Sequence, residues 1–152
     1  MVMKNTLSES IQSIEQLIHT FYELNSGYAG QPHDWQKLRD LFIPGTTLIP
    51  HAIIRDSAPV AEVDLNAYIE RVTRFFSQND FFEKGIIHHV EVFGSIASVI
   101  STYESRHAPD EPTPFKRGMN YIHLMHDGSR WRFAGMVWMD ESPENLLPEK
   151  YR

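Results

Sequence analysis

The chain has 152 residues, 41% of them hydrophobic and 22% charged, with a formal net charge of -6 and no cysteine. The missing cysteines exclude disulfides, thiol nucleophiles and thiolate metal sites, and an acidic balance without any Lys/Arg run argues against nucleic acid or an anionic membrane as partner. The length fits one domain over residues 1–152. No apolar run reaches the roughly 18 residues that span a membrane, and the opening MVMKNTLSES lacks the apolar core of a signal peptide, so the cytoplasm is the expected compartment.

In chain order, Thr6-Leu7-Ser8-Glu9 has the form of a capping box. After it Ile11, Ile14, Leu17, Ile18, Phe21 and Tyr22 recur at helical spacing and predict a first helix to about Asn25. Asp34 caps a short second helix, Trp35–Phe42, which Pro44-Gly45 ends. Residues 46–54 are rich in β-branched residues but contain Pro50, the mark of an edge strand or a bend. A loose connection runs to Val63, and Asp64 then caps a third helix whose apolar stripe is Leu65, Tyr68, Ile69, Val72, Phe75 and Phe76.

From Phe82 the period changes to two, predicting strands at about 83–93, 96–107, 115–126 and 129–140. A Gly94-Ser95 turn pairs Val92 with Ala97, Val90 with Val99, and His88 with Ser101. Asp127-Gly128 reads as a two-residue hairpin turn, which sets His126 against Ser129, Leu124 against Trp131 and Ile122 against Phe133. Gly118, Asn120, Ile122 and Leu124 then share a face with Trp131, Phe133, Gly135 and Val137, while Met119, Tyr121, Met136 and Trp138 share the other. Helices first and an antiparallel meander afterwards make an α+β domain. Three helices pack on one face of a strongly curved sheet, and the unfilled end of that interface is a conical pocket. The tail, residues 141–152 with Pro143 and Pro148, reads as extended.

The order of elements, the Asp34-Trp35 helix start and Asp-Gly-Ser-Arg-Trp-Arg-Phe before the last strand resemble the nuclear transport factor 2-like (NTF2-like) superfamily. More narrowly, Phe82-Glu83, the run 93–97, Ser101-Thr102-Tyr103-Glu104, Arg117-Gly118 and Arg130-Trp131 resemble bacterial proteins of the SnoaL-like type. The resemblance covers nearly the whole chain and implies a cone-shaped, cystatin-like roll with an internal pocket, often as a homodimer. Ketosteroid isomerase-like members hold a general base in the first strand and an oxyanion-binding acid in the penultimate one. The corresponding places here, near Pro50-His51 and Asn120–Ile122, carry no carboxylate. Tyr22 matches the tyrosine that donates to an enolate oxygen in those enzymes.

The residues themselves give a candidate site. His88, Ser101 and Tyr103 share the helix-covered face with Asn120, Gly118 and Gly135 leave space beside Asn120, and Tyr22, His51 and Trp35 can join from the helices and the first strand. Imidazoles, phenols, a hydroxyl and an amide among apolar walls are a small-molecule composition. The primary expectation is a binder of a small, largely apolar ligand. The alternative is a lyase or isomerase in which His51 or His88 moves a proton at a hydrophobic carbonyl compound and Tyr22 or Tyr103 donates to the oxyanion. The plain competing account is that these are hydrogen-bonded core groups. No metal site or cofactor is expected, because adjacent His88-His89 point to opposite strand faces and no phosphate loop occurs. Glu104, Arg106 and Arg117 read as cross-strand ion pairs.

The outward side chains Phe93, Ile96, Ile100, Met119, Tyr121, Met136 and Trp138 make a larger apolar patch than a soluble monomer usually exposes. A sheet-on-sheet homodimer covers it; otherwise the tail folds back through Leu146, Leu147 and Tyr151.

Overall fold

The computed structural model describes residues 5–50 and 63–152. Helix α1 (Leu7–Leu24) starts in the expected capping box, with Glu9 N–H donating to Thr6 Oγ1 at 3.1 Å and Thr6 N–H to Glu9 Oε2 at 2.7 Å. Helix α2 (Trp35–Asp40) is capped by Asp34, and helix α3 (Leu65–Phe76) by Asp64, which accepts from Ala67 N–H at 2.7 Å. The strands are β1 (Thr47–Pro50), β2 (Val63–Asp64), β3 (Phe82–Phe93), β4 (Ile96–Arg106), β5 (Lys116–His126) and β6 (Trp131–Asp140). They form one curved sheet in the order β2-β1-β6-β5-β4-β3, and α1 lies across β3 and β6. Every neighbouring pair is antiparallel except β1 and β6, which run parallel, so the first strand does not belong to the meander.

The narrow end of this roll is solid. Ile14 and Ile18 of α1, Leu38 of α2, Phe42, Leu48, Leu124 and Phe133 are essentially inaccessible, each such side chain contributing about 1.5–3 kcal/mol of burial. Phe42 and Phe133 stack at 5.0 Å, and the chain after α2 is stitched to β6 by Phe133 N–H to Leu41 O at 2.8 Å and Ile43 N–H to Phe133 O at 2.9 Å.

Two one-residue bulges depart from the expected registers. The β3–β4 hairpin pairs Val92 with Ala97 and Val90 with Val99 as expected, but the register shifts between Ile87 and His89, so Ile87 rather than His88 faces Ser101. In the second hairpin His126 pairs with Trp131 and Leu124 with Phe133, two residues away from the expected register. The reason is Asp127, whose carboxylate accepts from Ser129 N–H at 2.8 Å and Arg130 N–H at 2.9 Å. These backbone donors hold the carboxyl far below the usual carboxylate range, and they build a wider loop in which Gly128 takes φ 100°. A two-residue slip keeps the faces unchanged. The second shift, between His123 and Leu124, does not: Ala134 is the extra residue, and beyond it Ile122 pairs with Met136 and Asn120 with Trp138.

A one-residue offset reverses the face of everything beyond it. Met136 and Trp138, expected outside, therefore point to the helices, and Met136 is buried, while Val137 points out and Gly135 has open space beside it. The outer face is covered in part by the tail. Leu147 is buried, its N–H donating to Glu141 Oε2 at 2.6 Å, and it borders a second cavity with Met119, Tyr121 and Val137 before the single 3₁₀ turn Glu149–Tyr151. Phe93, Ile96 and Tyr121 remain 82%, 54% and 50% exposed.

Candidate functional site

The wide end of the roll is hollow. A cavity of about 490 Å³ lies between α1, α3 and the sheet, within the range of small-molecule sites. Its apolar walls come from Phe21, Val72, Phe75, Phe76, Met136 and Trp138, and its polar groups are Asn25, Tyr68, Arg71, Glu83, Tyr103, Lys116, Asn120 and Asp140. The helical stripe that places Val72, Phe75 and Phe76 is the one read from sequence.

Glu83 stands at the start of β3, where the Ser26 hydroxyl clamps its backbone by accepting from Glu83 N–H at 2.9 Å. Its carboxylate accepts no hydrogen bond from the described residues and joins none of their ion pairs. Burial pushes its pKa from 4.5 up to about 7, the Lys116 cation opposing this and the Asp140 charge adding to it. Asp140 ends β6. It accepts the Tyr103 phenol proton at 2.5 Å and lies 3.8 Å from Lys116 Nζ, which also sits 5.4 Å from the centre of the Phe81 ring. Burial and the Asp140 bond raise the Tyr103 pKa strongly. Across the cavity, Tyr68 donates to Asn25 Oδ1 at 2.7 Å, and burial raises its pKa too. Both phenols facing the cavity thus have their protons engaged.

The expected site residues separate into three places. Tyr103 and Asn120 line the cavity. Tyr22 and Ser101 lie one layer behind it: Asn120 donates to the Tyr22 oxygen at 2.8 Å, Tyr22 and Ser101 are hydrogen-bonded at 2.8 Å, and Ser101 donates to Ile86 O at 3.0 Å. This buried chain ends on a backbone carbonyl, and burial raises the Tyr22 pKa. The Tyr22 ring occupies the space that a Cβ at Gly85 would take, 1.9 Å from its Cε2, and the Tyr103 hydroxyl fills the space above Gly118. The glycines therefore make room for tyrosines, and the room expected beside Asn120 at Gly118 is already filled.

Trp35 stacks on His33 at 4.7 Å and backs the cavity through Phe76 at 6.0 Å without lining it. His88, the extra residue of the β3 bulge, bonds Thr102 Oγ1 at 2.7 Å and meets the Tyr151 ring of the tail at 4.9 Å, on the sheet face away from Tyr22. Its pKa is lowered by burial. The expected convergence of His88 with Tyr22 does not occur, because the bulge turns the histidine outward. His51 lies outside the described residues. Glu83, Asp140 and Lys116, with Asn25, Tyr68 and Arg71, are polar cavity groups that the sequence did not point to; the unbulged registers put both carboxylates on the outer face. Glu104 is paired as expected, to Arg106 at 2.8 Å and Arg117 at 3.1 Å. Among the described residues no group of three or more His, Asp or Glu is placed to hold a metal, and no helix is long and apolar enough to cross a membrane.

No protein-family model matches the sequence, and no curated protein matches it. Solved structures do. An NTF2-like protein of unknown function from Silicibacter pomeroyi DSS-3 is similar with a TM-score of 0.65 at 20% identity, over 90% of this chain and 100% of that one. A protein of unknown function with a cystatin-like fold from Nostoc punctiforme PCC 73102 gives 0.70 at 8% identity, over 93% and 97%. An NTF2-like protein with a cystatin-like fold from Novosphingobium aromaticivorans gives 0.67 at 15%, over 91% and 88%. At such identities the likeness is one of fold.

Proposed function

We propose that this chain, whose fold is the NTF2-like, cystatin-like roll, uses the hollow end of that roll to bind a small, largely apolar ligand. One observation carries the reading: the cavity combines aromatic and aliphatic walls with polar groups that include the carboxylates Glu83 and Asp140. An apolar body packs against α3 and Trp138, and a polar end meets the carboxylates. A thermal-shift screen with naphthol, indole, 4-phenylbutan-1-ol and 4-phenylbutan-1-amine tests it. A ligand at about 100 times its Kd adds about 2.7 kcal/mol, and a chain of this size then melts about 5–10 °C higher. Val72→Trp, which fills the cavity from α3, should abolish the shift while the protein stays folded. A panel without any shift, or a shift that survives Val72→Trp, refutes the proposal.

A second reading, acid–base catalysis on a hydrophobic carbonyl compound, draws on the Glu83 carboxyl, whose pKa of about 7 is suited to accepting a proton at neutral pH. Deuterium exchange at the α-carbon of 4-phenylbutan-2-one, followed by NMR, should then depend on Glu83 and vanish in Glu83→Gln. Exchange no faster than in buffer removes it. For assembly, the exposed Phe93, Ile96 and Tyr121 support a homodimer through the outer sheet face, and sedimentation showing a monomer at micromolar concentration would exclude it.

A further inference from the structure

The charged groups that line the cavity are paired unevenly. Of its two carboxylates, Asp140 is answered twice, by the Tyr103 hydroxyl at 2.5 Å and by Lys116 Nζ at 3.8 Å. Glu83 is answered by neither a hydrogen bond nor an ion pair among the described residues, and Lys116, held between Asp140 and the Phe81 ring, acts on it only through its field. The remaining groups that bear on Glu83 are Tyr22 from α1, Tyr68 from α3 and Tyr103 from β4, all uncharged; Arg71 lies on the exposed face of α3 at the rim. The lining of the same cavity is rich in aromatic rings, among them Tyr68, Phe75, Phe76 and Trp138. A carboxylate with neighbouring π-faces is the environment that an organic ammonium group selects, because the carboxylate supplies a charge-assisted acceptor and the rings attract the cation electrostatically.

We propose that the ligand of this cavity is an amphipathic amine, whose ammonium group pairs with Glu83 while its hydrocarbon body lies against the α3 rings and Trp138. This inference rests on the reading of the cavity as a small-ligand site and names the chemical class that the site takes. A neutral ligand would leave the carboxylate unmet. An acidic one would place a second anion beside Glu83, and of the two cations that line the cavity Lys116 is already held by Asp140 while Arg71 is solvent-exposed. An ammonium group supplies the missing partner and, by favouring the ionised form of Glu83, releases its proton on binding.

Three probes of one shape separate the possibilities: 4-phenylbutan-1-amine, 4-phenylbutan-1-ol and 4-phenylbutanoate, titrated calorimetrically against the full chain. At pH 8.5 the amine should bind about tenfold or more tighter than the alcohol, the margin expected of a charged hydrogen bond, and the carboxylate weakest. Its affinity should fall toward the alcohol's, about eightfold for a tenfold preference, between pH 8.5 and 5.5 as Glu83 takes up a proton with a pKa of about 7, while the alcohol's stays level. Glu83→Gln should remove the preference for the amine over the alcohol. An alcohol within twofold of the amine, a tighter carboxylate, or an amine preference that survives Glu83→Gln overturns this inference and leaves the cavity reading standing. If none of the three binds, both fall. The comparison of probes on the unaltered protein decides even where the variant folds poorly.

Discussion

Replacing Glu83 with glutamine keeps the side chain's shape and removes its charge, and the effect on stability follows from where the carboxyl titrates. In the folded protein its pKa stands at about 7, raised by burial first and by Asp140 last, with Lys116 opposing; the ordinary value is 4.5. The unfolded chain ionises near the ordinary value. Between pH 4.5 and 7 the folded state therefore holds more proton than the unfolded one, and stability falls as pH rises through that window. Below pH 4.5 the group is protonated in both states and contributes no slope. At about 1.4 kcal/mol per pH unit, the ionised carboxylate destabilises the fold above pH 7 by roughly 3 kcal/mol.

Glu83→Gln should accordingly be more stable than the unaltered protein by roughly 3 kcal/mol at pH 8.5, melting about 6–12 °C higher. The advantage should shrink steadily toward pH 4.5. Urea unfolding followed by tryptophan fluorescence at five pH values from 4.5 to 8.5 measures it, with an unchanged m-value as the control for an unaltered denatured state. A difference that does not vary with pH would refute the reasoning, since it would come from packing rather than ionisation. A variant less stable than the parent at pH 8.5 would refute it more directly, because Glu83 would then have a cationic partner in solution.

Three other substitutions probe what surrounds the cavity. Gly85→Ala places a methyl 1.9 Å from the Tyr22 ring and should destabilise by about 1–3 kcal/mol in urea; a neutral result would mean that the ring moves freely. Tyr22→Phe takes the acceptor from Asn120 and the partner from Ser101, both buried, and should lose about 1–3 kcal/mol by the same measurement. Leu147→Ala weakens the tail's seat over Met119 and should reduce stability by about 2 kcal/mol while increasing the fluorescence of a hydrophobic dye; unchanged dye binding would show that the tail does not shield that face.

The helices and strands were legible because their signals are local. Thr6 and Glu9, Asp34 and Asp64 cap where their side chains can reach their own backbone, and the α3 stripe sets which rings face the cavity whatever lies opposite. The parallel contact of β1 with β6 was not legible, since pairing across 90 residues leaves no mark at either end. The site was half legible. Tyr103 and Asn120 face the cavity because each lies on the unbulged part of its strand relative to the helices, whereas His88 was read from a register that ends one residue too early.

Each hairpin carries one extra residue, and each bulge lies between the solid end of the roll and its hollow end. Without the offset at His88, Lys84 and Ile86 would face the helices and Glu83 would face out; with it, Glu83 and Gly85 turn inward, and Gly85 admits the Tyr22 ring. Without the offset at Ala134, Gly135 and Val137 would face the helices; with it, Met136, Trp138 and Asp140 do. The same two offsets that increase the curvature of the sheet therefore deliver both carboxylates to the cavity. A bulge made only for curvature needs no acid beyond it, and burying Glu83 without a partner lowers stability at neutral pH. Serine or threonine at position 83 would keep the curvature without that penalty. An unpaired acid at the wall of an aromatic cavity is thus better accounted for by a cationic group arriving from outside than by the needs of the fold.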